Sequence, residues 1–146
     1  MPRRKKRRMV SAPPVYSSFK PIGVRRNEIH RLSLDLDEFE AIRLADYMSM
    51  DHSEASDEME ISRSTFSRLI ETARKKIAQF IIEGKELYIK GGNIHFRGNL
   101  IRCNECGNMF SIEIGENMLI CPTCKSENLL NLAGGYGHGR CCANRK

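Results

Sequence analysis

The sequence predicts an α+β protein of several modules, in which an all-α domain of three helices is followed by a small β zinc ribbon. Three observations lead to this fold class. Apolar residues recur with helical spacing over residues 36–83, two C-x-x-C pairs lie within residues 103–124, and short alternating apolar runs accompany those pairs. At 146 residues the chain can form one domain or two small ones. We therefore expect a basic arm over 1–20, the helical domain over 21–86, a β-hairpin and zinc ribbon over 87–132, and a flexible tail over 133–146.

The chain opens with a dense cluster of cations. Six of its first eight residues are basic: Arg3, Arg4, Lys5, Lys6, Arg7 and Arg8. Like charges at this density repel each other and cannot build a core, so we expect the free arm to be disordered. Such an arm can lie along nucleic-acid phosphates, and its contribution to affinity would then fall steeply with salt. The alternative is a tail that only adds solubility.

Charge changes sign from segment to segment. Lys and Arg outnumber Asp and Glu by ten to one in residues 1–31 and by seven to three in residues 63–90, but are outnumbered by ten to one in residues 32–62. The whole chain carries a net charge of +6. This separation favours a polyanionic partner, with the basic segments near its phosphates and the acidic block turned away.

The first helix is predicted over Leu36 to Met48. Asp37 and Glu40 have the spacing of a capping box, with Asp in the place of Ser or Thr. Apolar residues then form a broad face for burial: Phe39, Ala41, Ile42, Leu44, Ala45 and Met48. No His, Cys or metal-ligand cluster accompanies the acids of this segment in the sequence. We therefore expect no catalytic carboxylate pair, and the chain is predicted not to be an enzyme.

Residues 51–83 predict a short helix, a tight turn and a long helix. Asp51 with Glu54, and Ser62 ahead of the second apolar run, are residue types that begin helices. The second run lays one apolar stripe along a helix: Phe66, Leu69, Ile70, Ala73, Ile77, Phe80 and Ile81. This order of elements is the helix-turn-helix arrangement, and the alternative is two ordinary helices of a small bundle.

The outer face of the long helix is polar and basic. In a helix-turn-helix the first turns of the second helix enter the major groove of DNA. Four residues are therefore candidates for contacting base edges: Arg63, Ser64, Ser67 and Arg68. Arg74 and Lys75 lie further along and are predicted to contact phosphates, the alternative being solvated cations near a helix end.

The segments LDLDEFEAIRLADY and EASDEMEISRSTFSRLIETARKKIAQFIIEGKEL, preceded by FKPIG, resemble uncharacterised protein family 0251. The resemblance covers roughly residues 1–90 and implies a small DNA-binding protein. It also implies a helix-turn-helix similar to region 4 of sigma factors, the part that reads promoter DNA. The sequence departs from the pattern at Glu60, a turn position where the family usually has Gly. A positive φ there would cost Glu about 1 kcal/mol, so either the turn is wider or the strain is accepted.

Four cysteines form two C-x-x-C pairs with fourteen residues between them: Cys103, Cys106, Cys121 and Cys124. In a chain that we expect to carry no secretory signal, this spacing favours a metal over disulfides, and four thiolates suit one structural, tetrahedral Zn²⁺. Iron held by the same ligands is an alternative. A redox C-x-x-C is not favoured, because the βαβ pattern that normally surrounds it is absent from the sequence. Residues 87–90 and 94–96 flank Gly91-Gly92-Asn93 and are predicted to pair as a hairpin.

The preferred interpretation is a non-enzymatic regulator of transcription that binds double-stranded DNA sequence-specifically. Two alternatives stay open. The ribbon could dock on RNA polymerase, another protein or RNA while the helices add only non-specific DNA affinity. The tail, with His138, Cys141 and Cys142, could instead sense a metal or an oxidant. No apolar run could span a membrane, so a cytoplasmic location is predicted, and a homodimer is left open.

Overall fold

The computed structural model describes residues 7–92, 94–113, 116 and 118–136. The chain divides into two compact units, the first made of Met1–Met9 and Tyr16–Ile94, the second of Val10–Val15 and His95–Lys146. Among the helices described, none combines the length and the hydropathy that crossing a bilayer requires.

Three α-helices and eight strands make up the described part of the chain. The helices are α1 (Leu36–Ile42), α2 (His52–Glu58) and α3 (Arg63–Glu83). The strands are β1 (Arg8–Val10), β2 (Ser18–Phe19), β3 (Arg31–Asp35), β4 (Glu86–Lys90), β5 (Ile94–Phe96), β6 (Gly98–Cys103), β7 (Met109–Glu113) and β8 (Leu129–Asn131). A π-helical turn, Arg43–Tyr47, continues α1, and two 3-10 turns occupy Arg26–Glu28 and Ala133–Tyr136.

The first unit contains a three-stranded sheet of order β2-β4-β3 beside its helices. β3 runs parallel to β4, from Arg31 opposite Glu86 to Asp35 opposite Lys90, and β2 runs antiparallel to β4. All three α-helices lie in the crossover between β3 and β4, and α1 begins directly after β3. The predicted fold class, an all-α three-helix domain followed by a zinc ribbon, is therefore wrong, because the first unit is α+β.

The parallel pairing explains why the strands were missed. β3 is five residues long, and its partner β4 begins fifty residues further along the chain. Alternating apolar residues predict a strand only weakly over so short a run, and nothing local identifies a distant parallel partner. The predicted hairpin is also wrong. Both edges of β4 are occupied, by β2 and β3, so β5 pairs instead with β1.

The three helices share one apolar core, which consists of Ala41, Leu44, Ala55, Met59, Phe66, Leu69 and Ile70. The predicted first helix is an α-helix only as far as Ile42, after which the turn is π-helical to Tyr47. Its predicted capping box is absent. Asp35 occupies the N-cap without a side-chain bond, while Asp37 pairs with Arg8 and Glu40 pairs with Arg43.

The second unit is built on an antiparallel sheet of order β7-β6-β8. Ile101 and Cys103 of the central strand are buried. Buried Asn99 of β6 bonds to β8 and to the 3-10 turn that follows it. Its side-chain amide donates to Asn131 Oδ1 over 2.7 Å, and its side-chain oxygen accepts from the Ala133 N–H over 3.0 Å. The tail predicted to be flexible from residue 133 thus begins with an ordered 3-10 turn, and the rest of it, from 137 on, lies outside the described residues.

Candidate functional site

The turn between α2 and α3 is short and strained at one residue. Glu60 has φ 55°, a left-handed conformation that costs a non-glycine residue about 1 kcal/mol. Its N–H donates to Asp57 O over 3.1 Å, and the next N–H, of Ile61, donates to Ser56 O over 3.0 Å. The strain at this position is therefore accepted, and the turn stays tight.

Side chains cap both helices of this pair, as the sequence predicts. Asp51 Oδ1 accepts from the Glu54 N–H over 2.8 Å, and Glu54 Oε2 accepts from the Asp51 N–H over 3.4 Å, which completes a capping box at α2. Ser62 Oγ accepts from the Thr65 N–H over 3.2 Å at α3, and Gly84 ends that helix at φ 63°. The first turn of α3 is thereby fixed in position.

The two faces of α3 differ in burial and in charge. Phe66, Leu69, Ile70 and Ala73 face the core. On the outer side of the first two turns Arg63, Ser64 and Arg68 are exposed, and Lys75 is exposed further along. The predicted base-contacting residues other than Ser67 thus lie together on an open surface.

Ser67 is half-buried, and its hydroxyl is already engaged. It donates to Arg63 O over 3.0 Å and lies 2.9 Å from His52 Nδ1. The His52 ring also packs edge-on against Phe66, with centroids 5.3 Å apart. Ser67 therefore braces α3 against α2 and has no hydroxyl proton left for a base.

Arg74, predicted to contact phosphate, forms a two-pronged pair with Asp46 of the π-helical turn, over 3.1 and 2.7 Å. This hydrogen bond lowers the pKa of the Asp46 carboxyl and raises the pKa of the Arg74 guanidinium. Both side chains are about half-exposed, so the guanidinium is oriented by Asp46 while remaining at the surface.

The predicted basic arm is only partly described. Arg3, Arg4, Lys5 and Lys6 lie outside the described residues. Arg8 belongs to β1 and forms an ion pair with Asp37, and the N–H of Met9 donates to Met59 O over 3.1 Å. The prediction of disorder is therefore wrong from Arg8 onward, because Asp37 and the Met59 carbonyl fix the chain there.

Arg8 helps to form an open groove beside α3. The groove has a volume of about 370 Å³ and is lined by Arg8, Thr65, Arg68, Leu69 and Thr72. The lining combines two arginines and two threonines with a single leucine, and the Thr72 hydroxyl among them donates to Arg68 O over 3.0 Å. Such a lining is chemically suited to an anion, and a phosphate group is of the right type.

The four cysteine sulfurs form the second cluster of interest, with all four within 4.8 Å of one another. Cys103 Sγ lies 3.5 Å from Cys124 Sγ, and Cys106 Sγ lies 3.7 Å from Cys121 Sγ. A disulfide would need about 2.05 Å. A tetrahedron with metal–sulfur bonds of about 2.3 Å has edges of about 3.8 Å. The arrangement is therefore compatible with a metal site.

The two C-x-x-C turns have the same backbone geometry. The Gly107 N–H donates to Cys103 O over 2.9 Å, and the Lys125 N–H donates to Cys121 O over 3.0 Å. Gly107 and Lys125, each directly after the second cysteine of its pair, have φ 74° and 63°. The cysteine pairs are thus presented by two matching turns, of which only the first has glycine at its left-handed position.

Backbone N–H groups act on all four of these sulfurs, and at two of them the net pKa is lowered. Those of Cys106 and Glu105 lower the pKa of Cys103, and those of Cys124 and Thr123 lower the pKa of Cys121 to about 6. The Ser126 N–H also lowers the pKa of Cys124, but the neighbouring thiols and burial raise it to about 12. Thiolate is the form that binds metal, and the turns favour it at Cys103 and Cys121.

Three carboxylates, of Asp35, Asp37 and Glu38, form another close group. Glu38 is buried and pairs with Lys76 over 2.7 Å, and Asp37 pairs with Arg8. Burial raises the pKa of Glu38, although the Lys76 hydrogen bond opposes that rise. We interpret this group as an ion-pair network that joins β1 and α3 to α1.

Sequence reasoning missed the residues that support α3, above all His52 and Asp46. Each contacts a residue that is distant in the sequence: Ser67 is 15 positions from His52, and Arg74 is 28 positions from Asp46. The position of His52 next to the capping residue Asp51, at the start of the short helix, was the one available indication.

These features define a class of small two-unit α+β proteins, with a capped helix pair in one unit and a four-cysteine cluster in the other. Residues 1–97 match the family model described as "Protein of unknown function DUF134", and the chain belongs to this family. The resemblance to family 0251 is confirmed by relatives that carry that family's name.

Three of these relatives are UPF0251 proteins. That of Chloroherpeton thalassium is 48% identical over 143 residues, covering 96% of this chain and 95% of the relative. That of Chlorobaculum tepidum is 39% identical over 145 residues, covering 96% and 74%. That of Pelotomaculum thermopropionicum is 40% identical over 126 residues, covering 86% and 95%. No solved structure matches the chain.

Proposed function

We propose that this protein binds double-stranded DNA sequence-specifically, without catalysing a reaction, and regulates transcription. In this proposal α2 and α3 act as a helix-turn-helix, and the first two turns of α3 enter the major groove. The observation that carries the proposal is the exposed outer face of α3, where Arg63, Ser64 and Arg68 lie together on a helix held by caps and a tight turn.

The described contacts suggest how roles are divided on this face. Arg68 and Arg63 are the candidates for base edges, because an arginine can bind guanine O6 and N7 with two parallel hydrogen bonds. Ser64, whose hydroxyl lies 3.2 Å from Ser62 Oγ in the free protein, is a permissive partner for either kind of base. Ser67 takes the supporting role described above, since its proton goes to Arg63 O.

Phosphates would be bound around this reading surface. In the groove next to Arg68, Arg8 offers a cationic donor and Thr65 a hydroxyl donor, whereas Thr72 donates its hydroxyl proton to Arg68 O over 3.0 Å. Arg74 is oriented by Asp46 and keeps N–H groups outside that pair, and Lys75 adds a further charge. The basic residues before Arg8 would extend the phosphate contacts.

The four cysteines are proposed to hold one structural Zn²⁺, through Cys103, Cys106, Cys121 and Cys124. The sulfur separations support this assignment, as does the thiolate-rich donor set. When bound, a closed four-thiolate zinc supplies stability and no reaction. Iron held by the same ligands is the competing assignment, which elemental analysis of the purified protein resolves.

The test is selection of bound sequences from random double-stranded DNA, followed by affinity measurements over a salt series. We expect an enriched motif, and the logarithm of the binding constant for it should fall linearly with the logarithm of the salt concentration. Arg63→Ala and Arg68→Ala should lower affinity for the motif. Arg26→Ala, which removes an exposed arginine assigned to no contact, is the matched control. Absence of enrichment would overturn the proposal.

A second candidate function is docking on another protein, such as RNA polymerase, or on RNA through the second unit. The observation that favours it is an exposed apolar run before Cys121, in which Met118, Leu119 and Ile120 are 41%, 79% and 45% exposed. Salt-sensitive DNA affinity without an enriched motif would favour this function.

The proposed metal or oxidant sensor depends on His138, Cys141 and Cys142, which lie outside the described residues. It stays a prediction. Replacing both cysteines by serine should leave DNA affinity unchanged with and without oxidant unless the tail is a sensor. Sedimentation of the DNA complex would establish whether the protein binds as a homodimer.

A further inference from the structure

We propose that His52 is a further DNA-contacting residue, whose Nε2 donates to a phosphate when the ring is protonated, so that DNA affinity rises as pH falls. This inference rests on the proposed DNA binding. It adds a contact from α2, the helix before the reading helix, and it adds regulation by pH.

The hydrogen bonds around Ser67 fix the proton on one nitrogen of His52. The Ser67 hydroxyl has one proton and donates it to Arg63 O over 3.0 Å. The contact of 2.9 Å between Ser67 Oγ and His52 Nδ1 must then be donated by the histidine. In the neutral ring Nε2 is therefore the nitrogen without a proton.

The orientation of the ring is fixed by packing as well. His52 lies edge-on to the fully buried Phe66, at an interplanar angle of 68°. The side chain is half-buried, and no hydrogen bond to Nε2 is found within the described residues. Nδ1 is thus committed to the protein, while Nε2 is available to an external group.

The place of His52 in the helix pair determines which group that would be. In a helix-turn-helix the first helix crosses the DNA backbone while the second enters the groove. His52 is the first residue of α2, and Ser67, which it contacts, lies between exposed Ser64 and Arg68 on α3. A side chain at this position is beside the backbone of the bound duplex, so a phosphate oxygen is the expected partner.

Protonation decides whether this contact is favourable. Unprotonated Nε2 is an acceptor and cannot bond to a phosphate oxygen, whereas protonated Nε2 donates a charge-assisted hydrogen bond. Asp46, which Arg74 pairs, interacts electrostatically with His52, and the capping residue Asp51 directly precedes it in the chain. Bound DNA adds one negative charge near the ring and stabilises the imidazolium.

The sign of the pH dependence follows from this change. A phosphate oxygen at Nε2 stabilises the protonated ring and is not bound by the neutral one. The gain in affinity is therefore present at low pH and is lost as the ring gives up its proton.

The experiment measures the Kd for the selected DNA by fluorescence anisotropy from pH 5.5 to 8, at constant ionic strength. For the full-length wild-type protein we expect affinity to rise about tenfold toward pH 5.5, which is the size of effect expected for one added hydrogen bond to a charged group. His52→Asn, whose amide N–H can replace Nδ1–H toward Ser67, should change less than twofold over the range. His30→Asn, an exposed histidine in the same unit, is the matched control and should keep the wild-type rise.

A tenfold rise that survives in His52→Asn, or a wild-type protein without any rise, would overturn the inference. Thermal melting shows whether His52→Asn is folded. If it is not, His52→Gln decides, since Gln keeps a neutral donor near the Nε2 position and should bind independently of pH. At pH 8, discrimination between selected and scrambled DNA tests the proposed function separately. If the protein prefers the selected DNA at pH 8 but His52 contributes nothing to the pH profile, this inference alone is refuted. If the protein does not prefer the selected DNA, the proposed function is refuted together with this inference.

Discussion

At the scale of single residues, buried carboxylates hold the first unit together. Glu38 and Glu40 on α1 are almost fully buried, and each has a cation partner, Lys76 and Arg43 respectively. Glu38 Oε1 receives the Lys76 hydrogen bond, but Glu38 Oε2 is buried without a hydrogen-bond partner in the described structure. A carboxylate in this position is poorly solvated, so the charged form is disfavoured.

Glu38 gives a prediction for the dependence of stability on pH. Burial raises its folded-state pKa above the ordinary 4.5, so the folded protein binds this proton more tightly than the unfolded chain does. The stabilising contribution of the proton is complete below pH 4.5 and is lost as pH rises through the folded pKa. We expect the stability of wild type relative to Glu38→Gln to fall over that window, measured by urea unfolding. A relative stability that rises with pH would contradict the assignment.

At the scale of elements, the α2–α3 pair was the most predictable part of the molecule. Its caps, its C-terminal glycine and the first half of its apolar stripe, which is buried as far as Ala73, depend on residues within four positions of one another, the range over which sequence patterns are informative. The end of the predicted stripe is wrong, because Ile81 is 66% exposed. The sheet β2-β4-β3 could not be predicted in the same way, because its pairings join residues fifty or more positions apart. The contacts of Asp46 and His52 could not be predicted for the same reason, because their partners are distant in the sequence.

The turn of this pair gives a prediction for stability. Glu60→Gly removes the steric cost of φ 55° and should raise the free energy of unfolding by about 1 kcal/mol, as urea unfolding would show. Glu60→Ala is the control, because Ala removes the carboxylate and keeps the Cβ that causes the strain. An equal gain in both variants would mean that charge, rather than backbone conformation, sets the cost.

At the scale of the whole molecule, the two units are stabilised by different means. The first has an apolar core shared by three helices, whereas the second is a small sheet carrying four clustered thiols. Small modules bury little surface and often depend on a metal for folding. The spacing of the cysteines alone was sufficient to predict this cluster, since ligand spacing is a local property. The assignment of residues 10–15 to the second unit could not be predicted, because it depends on bonds such as Arg97 N–H to Val10 O.

Removal of the proposed zinc should therefore affect the units unequally. With a strong chelator we expect one Zn²⁺ to be released per chain and amide signals of residues 95–136 to lose their dispersion. The signals of α1 to α3 should change little. Cys103→Ser should reproduce this pattern, and Cys141→Ser, outside the predicted ligand set, should not. Loss of the α3 signals together with those of the second unit would show that the metal supports the whole chain.

The central claim is that the outer face of α3 reads DNA sequence, and selection from random DNA with two matched variants tests it most directly. Arg68→Ala should flatten the selected motif at one position and weaken binding by about 1–3 kcal/mol. Lys75→Ala, which removes a proposed phosphate contact from the same helix, should keep the motif, weaken binding to all sequences about equally and reduce the salt dependence. Identical motifs from wild type and Arg68→Ala, or no motif from any of the three proteins, would contradict the claim.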